Sequence, residues 1–166
     1  MAHTDADSWD NVLKAYELYR DAENELLKSP NRVDLIRAGI KSERSGRQSL
    51  AFRLIWRLTD VEKQQLAGML LDYGFSAQYT YDCRDLLLSL PREWLLENIE
   101  RLAEPFLAEM SAPDLYQYYG TTLWLYSQID RELTQRLVKR ALEHPHPDVR
   151  EFGKDYLEKL GEINSQ

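Results

Sequence analysis

The feature that most constrains this chain is one helix-end pattern that recurs four times. The stretches "LAFRLIWRL" (50–58), "DCRDLLLSL" (82–90), "TLWLYSQI" (122–129) and "FGKDYLEKL" (152–160) align by their last residues, Leu58, Leu90, Ile129 and Leu160, which are 32, 39 and 31 residues apart. Three positions earlier stand Ile55, Leu87, Tyr126 and Leu157, and four earlier Leu54, Leu86, Leu125 and Tyr156. This is the i, i+3, i+4 stripe of a helix face turned to a core. Seven earlier stand Ala51, Cys83, Thr122 and Gly153, a column of small residues. Small side chains in register mark places where helices approach closely and a longer side chain would overpack the contact.

Each of the first three stretches leads through a tight break into a second amphipathic helix. The breaks supply helix starts: Thr59 with Glu62 at capping-box spacing, Pro91 for a first helical turn, and Asp130 as N-cap. The second helices bury Leu66, Met69 and Leu70; Leu95, Ile99 and Leu102; and Leu133, Leu137 and Ala141. No run alternates apolar and polar residues long enough to propose a strand, so the expected fold is all-α. Upstream, a helix from about Ser8 carries Trp9, Val12, Leu13, Tyr16 and Tyr19 on one face and stops before Pro30, and a shorter helix follows in "RVDLIRAGIK". The expected organisation is a single domain over 1–166 with about 8–9 helices: N-terminal helices in 8–44 capping an array, repeats over 45–161, and a flexible tail at 162–166.

The last unit, "ALEHPHPDVREFGKDYLEKLG", resembles a HEAT-type repeat, whose corner carries a Pro-containing turn, then Val-Arg, a small residue and a closing Leu. Val149, Arg150, Gly153 and Leu160 match those positions, whereas His144 stands where such corners usually have aspartate. The earlier units have Tyr79-Thr80 and Tyr118-Tyr119 in place of Val-Arg, so the resemblance extends over 45–161 as periodicity and over 141–161 as motif. It implies a short right-handed α-solenoid whose second helices line a concave face. Such folds mostly serve as binding scaffolds, with catalytic exceptions among DNA glycosylases.

Charge narrows the choice of partner. The chain carries a formal −7, which disfavours general nucleic-acid binding because phosphate contacts need a positive surface. One segment is the exception: between Arg37 and Arg57 six basic residues face a single acid, Glu43. Arg44, Arg47, Arg53 and Arg57 are its candidate phosphate contacts, with pairing to the acidic first helix as the competing use. No apolar run is long enough for a bilayer, and "MAHTDADSWD" lacks the basic and apolar segments of a secretory signal, so a cytoplasmic location without membrane contact is expected.

Candidate chemistry is sparse. His144 and His146 flank Pro145, and with Asp148 they make an incomplete metal set, so the pair is expected to form the corner between two helices and no metal or other cofactor is expected. Cys83, the single cysteine, occupies the small-residue column and has no histidine near it in sequence to activate it as a nucleophile. Gly-rich phosphate loops, paired-histidine motifs and nucleophile elbows are missing from the sequence, and no enzymatic activity is expected.

Binding residues are easier to nominate. Glu93, Glu97, Glu100 and Glu104 fall at i, i+4, i+7 and i+11, one carboxylate stripe on a continuous helix opposite Leu95, Ile99 and Leu102. In "DLYQYYGTTLWLYSQ", Tyr116, Tyr119 and Trp124 are candidate contacts, with Trp124 expected on the side away from the buried Tyr126. The expected function is a non-enzymatic protein-binding scaffold with a basic protein partner. Its most concrete form is an immunity or antitoxin-like inhibitor masking a basic enzyme such as a nuclease toxin, with carboxylates steering association. The alternatives are a nucleic-acid-associated protein using the basic segment 37–57 and an adaptor in a larger complex.

Overall fold

The structure, a computed structural model, describes residues 5–75, 79–109 and 112–162. Among these residues there are ten helices and no strand: α1 Asp5–Lys28, α2 Arg32–Ile40, α3 Ser45–Ile55, α4 Asp60–Gln64, α5 Ala67–Gly74, α6 Thr80–Leu88, α7 Arg92–Glu109, α8 Ala112–Ile129, α9 Arg131–Leu142 and α10 Pro147–Glu162. The fold is all-α, and no helix is long and apolar enough among the described residues to cross a membrane. The expected tail at 162–166 lies outside the described residues apart from Glu162, the last residue of α10.

Helices start at the expected Pro91 and Asp130 signals, while α1 begins at Asp5, ahead of the expected Ser8. Asp130 is extended and its side chain accepts hydrogen bonds from the N–H groups of Glu132 at 2.9 Å and Leu133 at 3.1 Å, capping α9. Pro147 opens α10, where its missing N–H is no loss. Pro91 directly precedes α7 and accepts from the N–H of Leu95 through its carbonyl. The helix expected after Thr59 is two helices, α4 and α5. Between them the N–H of Leu66 bonds the carbonyl of Lys63 at 2.9 Å, a tightened turn that leaves Leu66 and Ala67 fully buried.

Contacts divide the chain into two compact units, 1–59 and 60–166. In the first, α2 packs on α3 with Gly39 against Ala51. A Cβ on Gly39 would stand 2.8 Å from the Ala51 Cβ, so the crossing has no room for a side chain. The Gln48 side-chain amide donates to the carbonyl of Ile40 at 2.8 Å, satisfying an acceptor at the end of α2. On α1, Trp9, Val12, Leu13 and Tyr16 are exposed.

In the second unit, the helix pairs α5/α6, α7/α8 and α9/α10 each pack together, and α5 also touches α7, α6 touches α8, and α8 touches α10. The side chains of α7 and α9 are joined by ion pairs described below. α8 packs on α9 as well. Cys83 faces Gly74 across α5/α6, and Gly153 faces Ala141 and Leu142 across α9/α10, where a Cβ on Gly153 would meet the Leu142 N at 3.0 Å. Ala51, Cys83, Thr122 and Gly153 are all buried. The apolar columns are buried through α3, α6 and α8, but in α10 Tyr156 is half-buried and Leu157 is 52% exposed.

Candidate functional site

The α7 stripe is exposed along its length, and α7 is continuous through Pro105, so the four carboxylates share one face. Their surroundings divide them. Glu100 accepts from Arg136 Nε at 3.0 Å and Nη2 at 2.8 Å, and Glu104 accepts from Arg140 Nη1 at 2.5 Å and Nη2 at 3.0 Å. Both are two-pronged arginine–carboxylate pairs that link α7 to α9. These hydrogen bonds hold the pKa values of Arg136 and Arg140 above the ordinary arginine value. Glu93 and Glu97 have no cation partner among the described residues. Arg101, four residues after Glu97, donates instead to Asn98 Oδ1 at 3.0 Å, and Arg92 pairs with Asp130 at 2.7 Å.

The three nominated aromatics of α8 occupy different environments. Tyr116 is exposed and its ring lies 4.5 Å from that of Phe152. Trp124 is half-buried, with Arg84 above its ring. Tyr119 is fully buried, 5.3 Å from the His144 ring, and burial pushes its pKa up. A docking role for Tyr119 is therefore corrected: its ring packs the α8 side of the corner and offers no surface to a partner. Its neighbour Tyr118 takes part in an aromatic group instead, 3.8 Å from Phe75 and 5.8 Å from Phe106.

Two of the four nominated phosphate contacts are engaged by α1. Arg57 Nη1 donates to Glu23 Oε1 at 3.1 Å, and Arg53 stands 5.7 Å from the Tyr19 ring centroid. Arg37 pairs with Asp34 within α2. Arg44 and Arg47, at the start of α3, are exposed and meet no acid among the described residues.

His144 and His146 form the corner between α9 and α10. The backbone N–H of His146 donates to His144 Nδ1 at 3.1 Å, and Arg150 closes the turn by donating Nη1 to the carbonyls of His144 at 2.8 Å and Pro145 at 2.6 Å. Burial, followed by the neighbouring His146, Arg140 and Arg150, depresses the His144 pKa and favours the neutral ring that accepts this bond. His146 Nδ1 lies 3.9 Å from Asp148. Among the described residues no three His, Cys, Asp or Glu side chains converge as a metal set. Cys83 is fully buried, and that burial pushes its thiol up to about 12, which suppresses the nucleophilic thiolate.

One group escaped the sequence: Arg84, which α6 directs to a cavity shared with α8 and α10. Nothing near it in sequence announces this, because Trp124 and Tyr156 reach it from 40 and 72 residues away. Comparison with protein-family models, curated proteins and solved structures finds no match to this chain.

Proposed function

We propose that the chain is a non-enzymatic binding scaffold, a short right-handed α-solenoid of HEAT-like helix pairs that docks a basic protein on a row formed by α5, α7 and α9. The observation that carries this is the recurrence of one contact in residues 67–162: three consecutive helix pairs, with α5 on α7, α6 on α8, α8 on α10, ion pairs from α7 to α9, and small residues at the crossings of α5/α6 and α9/α10. An array of this kind presents one helix face per repeat on a continuous surface, which is why such architectures serve recognition.

The docking chemistry comes from the head of α7. Glu93 and Glu97 are exposed, whereas Glu100 and Glu104 are already neutralised by α9. Two unpaired carboxylates beside a braced interface can steer and orient a cationic partner at little cost in local order. An immunity or antitoxin-like inhibitor of a basic enzyme is the concrete form of this proposal.

The experiment is affinity capture with the parent chain and with the double variant Glu93→Lys/Glu97→Lys. A basic protein bound by the parent and released by the variant or by added salt supports the proposal. Equal capture by both chains, indifferent to salt, would remove α7 from the account.

A further inference from the structure

Arg84 is a half-buried cation without a counter-charge. Its Nη2 donates a long bond of 3.4 Å to Thr121 Oγ1, and its Cζ stands 4.3 Å from the Trp124 ring centroid. Its Nε is shielded from solvent and has no hydrogen-bond partner among the described residues. Arg57, Arg92, Arg136 and Arg140 each meet a carboxylate, but none of the described acids reaches Arg84. Burial depresses the Arg84 pKa, the expected effect on a cation removed from water without compensation.

The guanidinium borders a cavity of about 350 Å³ between α6, α8 and α10. That volume falls within the range of small-molecule sites. Tyr116, Trp124, Phe152 and Tyr156 line it, so four of its ten lining residues are aromatic. Gly120 makes the wall possible: a Cβ there would stand 3.1 Å from the Phe152 ring. Two more charges line the cavity, Lys159, whose Nζ lies 4.7 Å from the Tyr156 ring centroid, and Asp155. Asp155 offsets one of the two cations, leaving a single net positive charge.

We propose that this cavity is a binding site for an aromatic monocarboxylate, with the carboxylate on Arg84 and the ring among the aromatic walls. A single net charge matches a monoanion and falls short of a phosphate dianion. A guanidinium fork suits a planar carboxylate, which would supply the acceptor that Nε lacks. The aromatic walls suit an aromatic ring, which can stack or tilt against them. The same chemistry is offered by a free aromatic acid and by the C-terminal residue of a peptide ending in Phe. The site lies between α6, α8 and α10 and does not depend on docking at α7.

The test follows the Trp124 indole N–H signal by NMR during titration of the full chain with phenylacetate, with acetyl-glycyl-phenylalanine, and with the C-terminal amide of that dipeptide. Saturable shifts with either acid, at least ~10-fold weaker for the amide and for Arg84→Gln, are expected. Binding of phenylacetate identifies a free acid as sufficient, and binding of the dipeptide acid alone identifies a peptide terminus. The amide comparison uses the unaltered protein, so it decides the matter even if Arg84→Gln fails to fold. No shift with either acid, or equal affinity for acid and amide, overturns the proposal.

Discussion

Arg136 and Glu100 meet fork to fork, two N–H groups of the guanidinium on two carboxylate oxygens at 3.0 and 2.8 Å. The pair joins α7 to α9, helices whose sequences are separated by the whole of α8. Glu104 and Arg140 repeat it one turn along. A carboxylate that belongs to a four-residue stripe by periodicity is thus a fastener between neighbouring helices. Both side chains are about half exposed, so the pair is worth up to about 1 kcal/mol and weakens with salt. A double-mutant cycle with Glu100→Ala and Arg136→Ala checks this by chemical denaturation. A coupling energy indistinguishable from zero would mean that the pair does not brace the helices.

The glycines provide a contrast in packing. Gly39 faces the Ala51 Cβ with no room for a methyl group, whereas a Cβ on Gly46 meets nothing within 4 Å. Gly39→Ala should therefore destabilise by about 1–3 kcal/mol through overpacking, outweighing its gain in helix propensity. Gly46→Ala should be neutral or stabilise by up to about 1 kcal/mol. Thermal or urea unfolding of the two variants side by side measures the difference, and equal effects would refute close approach of α2 and α3.

The corner between α9 and α10 should respond to pH. Because the His144 pKa is lower in the folded chain than its ordinary value of 6.5, the unfolded chain binds the extra proton first on acidification. The stabilisation from His144 is complete above that ordinary value and is lost as pH falls from about 6.5 through the folded pKa. Protonation at Nδ1 also removes the acceptor for the His146 N–H. His144→Asn retains a side-chain acceptor and cannot titrate. Melting temperatures of parent and variant should converge in their pH dependence above neutrality and diverge below it, the parent falling more steeply. Parallel curves would contradict a half-buried, neutral His144.

Cys83 should be inert in the folded protein. Its thiol is buried against Gly74 and raised to about 12, so thiolate is scarce and access is closed. Labelling by a thiol reagent at mildly alkaline pH should proceed only as fast as unfolding exposes the residue, and fully in denaturant. Rapid labelling of the native chain would show that Cys83 lies at a surface.

Much of the fold was legible because helices write their burial locally. Asp130, Pro147 and the small residues at 51, 83, 122 and 153 are signals complete within a few positions, and they mark a cap, a helix start and buried contacts in the structure. The apolar column gave out at Leu157 because its burial depends on a following helix, and none follows α10 among the described residues. The site was less legible, since it depends on partners distant in sequence. Arg101 stands four residues after Glu97 but turns to Asn98, while Glu100 and Glu104 find arginines 36 residues away. Tyr119 belongs to an aromatic-rich segment whose spacing does not sort all its buried rings from its exposed ones, and only the neighbouring corner with His144 decides that it is buried. Arg84 had no local signal at all.

Salt-dependent capture of a basic partner is the measurement closest to the central claim, that the chain is a scaffold docking cationic protein through Glu93 and Glu97. Immobilised parent chain should retain such a partner at low salt and lose it as salt shortens the Debye length below about 8 Å. Glu93→Lys/Glu97→Lys, folded like the parent by circular dichroism, should bind at least ~10-fold more weakly, about 1.4 kcal/mol. A partner held equally by parent and variant at every salt concentration, or no basic protein retained at all, would contradict the claim.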